Sequence, residues 1–261
     1  MQIIDFHTHV FHPKIAHLAI EKLENHYGYK WQCDGTLDEL SKSLDKRIYK
    51  AVVFATPTKP EQTRLNNDYL FSINDERLIV FGSLHPEYED VSGEIDRVKE
   101  KGLRGFKFHP DFQGFDIDSD KALLMYDKIG SELPIIFHVG DKKFNYSSPD
   151  KLSRVLEIFP EHKFVAAHLG GYSKWETDIK YLLGKNLWID TSSALQFISS
   201  EYATEIIRKH GTDKVLFGTD YPSTTLKNEL KMFNKLKLTK KEREDILFNN
   251  AYKLLKSSGA I

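Results

Sequence analysis

Residues 2–9, QIIDFHTH, set an aspartate and two histidines two positions apart directly after an apolar start. In an extended strand alternate side chains point the same way, so Asp5, His7 and His9 are expected on one face. Such a triplet suits the edge of a metal site, and it equally suits the polar face of an ordinary strand. The choice depends on whether the fold brings further ligands to the same place.

Working outward, seven more short runs rich in β-branched and aromatic residues follow: KAVVFAT (50–56), RLIVFGSL (77–84), LRGFKFH (103–109), PIIFHV (134–139), KFVAAH (163–168), NLWIDT (186–191) and KVLFGTD (214–220). Most are continuous rather than alternating, as in strands buried on both faces of a parallel sheet. Helix starts fall between them. Capping boxes pair Thr36 with Glu39, Ser173 with Glu176 ahead of IKYLL, and Thr239 with Glu242. Ser148-Pro149 opens a further helix that Pro160 closes, and Gly102, Gly184 and Gly211 stand where helices stop. Eight strands alternating with helices in 261 residues predict a single (β/α)8 TIM barrel over residues 1–261, with a doubly wound sheet as the fallback. No linker or repeat divides the chain. Residues 10–47 exceed a minimal barrel connection and are expected to cap the site.

Composition excludes several function classes. With 37 basic against 38 acidic residues and a net charge of -1, no general field gathers nucleic acid or anionic lipid, so the expected partner is a small molecule. Cys33 is the one cysteine, which rules out an intrachain disulfide and a thiolate zinc ribbon. The start lacks a leader pattern and no apolar run reaches membrane-spanning length, so a soluble, cytoplasmic protein with no membrane partner is expected. Glycine-rich phosphate loops, a G-x-S-x-G elbow and an H-E-x-x-H helix are absent, and nothing implies an organic cofactor.

In a barrel the strand ends converge on one face, where such folds place their chemistry. Here those ends carry His7 and His9, Lys107 and His109, His138, His168 and Asp220. Imidazoles with a carboxylate and no thiolates suit a catalytic divalent metal: zinc first, then manganese or iron. One ion is expected, with a second a lesser alternative.

The stretches IDFHTHVF, GFKFHPDFQGF, PIIFHVG, FPEHKFVAAHLGG, HGTDKVLFGTDYP and ILFNNAYKLL run in order over nearly the whole chain. In these it resembles the amidohydrolase superfamily, specifically the amidohydrolase-related branch that includes aminocarboxymuconate-semialdehyde decarboxylase. The resemblance implies that His7, His9, His138 and Asp220 bind the metal and that His168 is catalytic. It is also compatible with a homodimer. Asp220 is a candidate for accepting a water proton, and His168 for holding the water or polarising the substrate. The alternatives are a ligand or supporting role for His168 and a plain turn cap for Asp220.

Lys107 shares a strand face with His109. It is read as a cation for a substrate carboxylate, ahead of a structural partner for Asp5 and of a carboxylated bridge between two metals. His109 and Gln113, entering the next loop, are candidate substrate contacts, with His85 a weaker one. Tyr172 is a candidate pocket wall and Trp175 a core residue. His12, His17, His26, His162 and His210 are assigned to the surface or to caps.

The leading functional expectation is metal-dependent hydrolysis of an amide, lactone or related bond in a small carboxylated molecule. Non-oxidative decarboxylation is the alternative, and the motifs do not separate the two. Phosphoester hydrolysis and an inactive metabolite-binding barrel are more distant options.

Overall fold

The computed structural model describes residues 1–261. Its strands are β1 (Ile3–His9), β2 (Ile48–Phe54), β3 (Leu78–Val80), β4 (Phe106–Phe108), β5 (Ile135–Phe137), β6 (Phe164–Ala166), β7 (Trp188–Asp190) and β8 (Val215–Leu216), one in each expected run. They pair in parallel as β1-β2-β3 and β4-β5-β6-β7-β8. Two seams join these sheets. At one, the amides of Gly82 and Lys107 donate to Gly105 O and Gly82 O at 2.9 and 2.8 Å. At the other, the amides of Phe6 and His9 donate to Phe217 O and Tyr221 O at 2.8 and 2.7 Å. The ring is therefore closed, and the barrel replaces the doubly wound fallback.

The helices are α1 (Ala16–Tyr27), α2 (Leu37–Ser43), α3 (Thr63–Phe71), α4 (Val91–Glu100), α5 (Pro110–Gln113), α6 (Asp120–Ile129), α7 (Pro149–Ile158), α8 (Ser200–His210), α9 (Leu226–Phe233), α10 (Lys240–Glu244) and α11 (Asn250–Ser257). The Thr239–Glu242 capping box at α10 is complete, with side chain and backbone bonded both ways. At α2 only half of the box forms: Thr36 accepts from the Glu39 amide, while the Glu39 carboxylate turns to the Asp34 amide. No helix is long and apolar enough to cross a membrane.

The helix expected after Ser173 does not form, and a short 3-10 turn at Ile179–Tyr181 stands in its place. Tertiary contacts win over the local cap. Tyr172 N–H donates to Val139 O at 2.7 Å, Trp175 Nε1 donates to His168 O at 2.8 Å, and Ser173 sits at φ 60°. Tyr172 and Trp175 are both buried.

Two apolar cores flank the strands. The inner one holds Ile4 and Phe6 of β1, Val52 and Phe54 of β2, Ile136 of β5 and Val165 of β6, with Leu254 of α11 closing one end. The outer one lies between strands and helices. Strand β1 overturns the simple alternation read from QIIDFHTH. Asp5 pairs with Ala51 but Thr8 with Val53, so β1 spends three steps where β2 spends two, a bulge. Phe6 and His7 straddle the extra residue, and the facing of the strand changes between Asp5 and His7. Asp5 lies on the helix side, in a small cavity with Leu40, Leu44 and Leu226. His7 and His9 turn into the barrel mouth.

Candidate active site

At the barrel mouth, His7 Nε2 lies 3.2 Å from His9 Nε2 and 3.3 Å from Asp220 Oδ1, and His9 Nε2 lies 3.4 Å from the same oxygen. These three residues present ligand atoms that fall within 4.8 Å of one another. Gly218 permits the close approach, because a Cβ there would stand 2.7 Å from His7 Cβ. Asp220 takes φ 62° and His168 φ 59°, so the backbone is strained at both ends of the cluster.

Hydrogen bonds fix which nitrogens carry protons. His7 Nδ1 donates to Asp190 Oδ2 at 2.8 Å, which turns Nε2 toward His9 and Asp220. His168 Nδ1 donates to Ser192 O at 2.8 Å, and His138 Nε2 donates to Gly140 O at 2.8 Å. Burial drives both rings toward the neutral form, His168 to about 4 and His138 well below its ordinary value. The two remaining nitrogens, His168 Nε2 and His138 Nδ1, then face each other lone pair to lone pair at 2.9 Å. Such a contact calls for a cation or a proton.

Burial likewise lowers His9 to about 4. Asp220 stays well below its usual value despite burial, because the facing imidazoles of His7 and His9 favour the carboxylate; its Oδ2 accepts from Ser193 Oγ at 2.5 Å. The cluster thus offers imidazole nitrogens and a fixed carboxylate in a buried setting, a donor set that fits a divalent metal.

The amidohydrolase family model matches residues 4–256. The chain belongs to the amidohydrolase family. No curated protein matches it in sequence. Among solved structures, an uncharacterised TIM-barrel protein from Bordetella bronchiseptica superposes with a TM-score of 0.80 at 18% identity, covering 99% of this chain and 100% of that one. A 2,6-dihydroxybenzoate decarboxylase from Rhizobium gives 0.72 at 16%, covering 98% and 99%. A 5-carboxyvanillate decarboxylase from Novosphingobium aromaticivorans, complexed with manganese and a nitrobenzoic acid, gives 0.73 at 14%, covering 98% and 96%.

In this amidohydrolase the cluster lines one end of a cavity of about 880 Å³ that His9, His109, His138, His168 and Asp220 share. Tyr27 and Trp31 also wall it, as expected of the long segment after β1. His7, His9 and Asp220 converge as one group, whereas His138 stands beside it, bonded to His168. Lys107 is not at the cavity surface. It is fully buried beneath the histidines, with Nζ 3.3 Å from His7 Nε2 and 5.1 Å from the Phe54 ring centroid. Burial pulls its pKa down to about 8. The expected substrate contact through Lys107 is therefore corrected: its reach is spent on His7. Gln113 is corrected too, since its Oε1 accepts from His109 N–H at 2.9 Å and its Nε2 donates to Leu84 O at 2.8 Å. His85 is held by Gln113 O at 2.8 Å and is structural as well.

Asp5 accepts from Thr219 N–H and Oγ at 2.9 and 2.7 Å, bracing the β8 end that delivers Asp220. Lys107, an alternative partner for Asp5, is out of its reach, because the bulge leaves Asp5 on the helix side while Lys107 lies beside His7. His26, expected at the surface, instead has Nε2 2.8 Å from Asp141 Oδ2 and ties α1 to the loop after β5.

Sequence reasoning missed Asp190. It ends β7 as His138 follows β5, so the signal was its place at a strand end. Its Oδ2 holds His7, and its Oδ1 accepts from the His168 and Ser192 amides at 3.1 and 3.0 Å. These partners outweigh burial and lower its pKa to about 2.

Proposed function

We propose that this amidohydrolase is a metal-dependent, non-oxidative decarboxylase of a small carboxylic acid with an apolar or aromatic body. This is the alternative that the motifs left open, and it now ranks ahead of hydrolysis. The observation that carries it is the state of Asp220. Hydrolysis asks that residue to accept a water proton, yet its Oδ2 accepts from Ser193 Oγ at 2.5 Å and its Oδ1 faces the ring nitrogens of His7 and His9 at 3.3 and 3.4 Å, the place of a fixed ligand. Decarboxylation asks it only to be a fixed anion. The decarboxylase activities of two structural neighbours and the manganese in one of them agree with this reading.

His7, His9 and Asp220 would hold the ion, and His138 would become a fourth donor only by turning its Nδ1 from His168 toward them. When bound, the divalent metal supplies a Lewis acid that grips the substrate and stabilises developing negative charge. Zinc and manganese both suit this donor set, and manganese is the ion named in the related decarboxylase. No arginine lines the cavity, so a substrate carboxylate finds no fixed guanidinium there. Aromatic walls from Tyr27, Trp31 and Phe112 suit a planar, apolar body.

When the C–C bond breaks and CO2 leaves, its electron pair stays on carbon, which must gain one proton. His168 is the residue placed to handle it. Neutral and bare at Nε2, it takes a proton from an acidic hydroxyl of the substrate and returns it to the carbon. Manganese- or zinc-reconstituted protein should release CO2 from hydroxylated aromatic or enoic acids. Turnover of lactones or amides without CO2 release would return the assignment to hydrolysis.

A further inference from the structure

We propose that the outer part of the cavity, between α1 and α3, is a binding site for an apolar tail of at least several carbons on the substrate. The inference rests on the carboxylate-binding reading of the inner end and extends it to the substrate's size. A cavity of about 880 Å³ lies near the top of the roughly 300–1,000 Å³ range that encloses drug-sized ligands, so a single-ring acid leaves much of it unfilled.

The character of the walls changes along its length. The inner end is built from imidazoles and Asp220. The outer end is built from Phe11, Ile15, Leu18, Leu65 and Tyr69. Three of these stay open to solvent: Ile15 is 53%, Leu18 55% and Leu65 73% exposed. Large side chains so exposed and gathered around a cavity mouth mark a ligand surface.

The floor between the two ends is fixed rather than collapsible. Tyr69 Oη donates to Phe11 O at 3.2 Å, and the His9 and Phe11 rings stack at 6.4 Å. The lysines on the α1 wall, Lys14 and Lys22, are exposed, so their ammonium groups reach water rather than the cavity centre. Asp68, the acid at this end, is held by Arg97 at 2.7 Å. The path from His9 past Phe11 to Leu18 and Leu65 is thus continuous and open at its far end. A substrate whose carboxyl group lies at the inner end directs its tail along this path.

The test is a binding series of 4-alkylbenzoates, methyl to hexyl, against manganese-loaded protein, read by calorimetry. Affinity should rise about fourfold for each methylene that reaches the apolar walls. Leu18→Asp and Leu65→Asp, at exposed positions that spare the core, should flatten that rise while leaving the methyl member's Kd unchanged. CO2 release from carboxylic acid substrates, measured on the same samples, reports on the reaction itself, so either reading can fail without the other. Equal affinity along the series, or no binding by any member, overturns the proposal. So does a dimer that masks Leu18 and Leu65 and dissociates in Leu18→Asp, because the occupant would then be a second copy of the chain.

Discussion

Two groups of side chains at the barrel mouth have the same composition: His7, His9 and Asp220 in one, His109, His138 and Asp111 in the other. Their hydrogen bonds make them opposites. In the second group, His109 Nδ1 accepts from the Phe112 amide at 3.3 Å and its Nε2 meets Tyr27 Oη at 3.1 Å. Asp111 accepts from the Tyr146 amide at 3.1 Å and from Ser147 Oγ. Only His138 Nδ1 remains, and it turns away to His168. In the first group, the nitrogens that face inward have no donor to satisfy them except one another and the ammonium of Lys107. A metal site is thus distinguished by which lone pairs the surrounding protein leaves unsatisfied, and ligand-type residues alone do not define it.

Four substitutions sharpen or break this contrast. His9→Ala removes a donor from the unsatisfied group and should drop metal content from about one ion per chain to near zero. Retained metal would break the contrast outright. His168→Gln should keep the metal and lower kcat by about 10²–10⁴-fold, since it removes the proton carrier. Loss of metal there would move His168 among the ligands. Asp190→Asn weakens the grip on His7 Nδ1, and metal affinity should fall by about 10–100-fold in a competition titration. Asp111→Ala tests the satisfied group. Thermal or denaturant unfolding should show a loss of about 1–3 kcal/mol from the unpaired Tyr146 amide and Ser147 hydroxyl, with metal content unchanged.

The barrel was legible because each strand is a short run of buried, β-branched or aromatic residues between helix signals. That His7, His9, His138, His168 and Asp220 meet at the barrel mouth was legible because they all stand at strand ends. Three features were not. The bulge in β1 has no local mark, since it arises where β1 packs between β2 and β8, and it moves Asp5 off the face assumed for it. Lys107 and Gln113 carry the right chemistry at the right strand end, but their side chains are consumed by His7, His109 and Leu84, contacts between residues distant in sequence. The capping box at Ser173 and Glu176 was a sound local signal that longer-range bonds from Tyr172 and Trp175 defeat.

Anomalous scattering from a manganese-soaked crystal tests the central claim most directly, because it shows which lone pairs hold the ion. The account predicts one peak per chain, bounded by His7, His9 and Asp220. A peak between His109 and Asp111, or no peak at the barrel mouth, would contradict it.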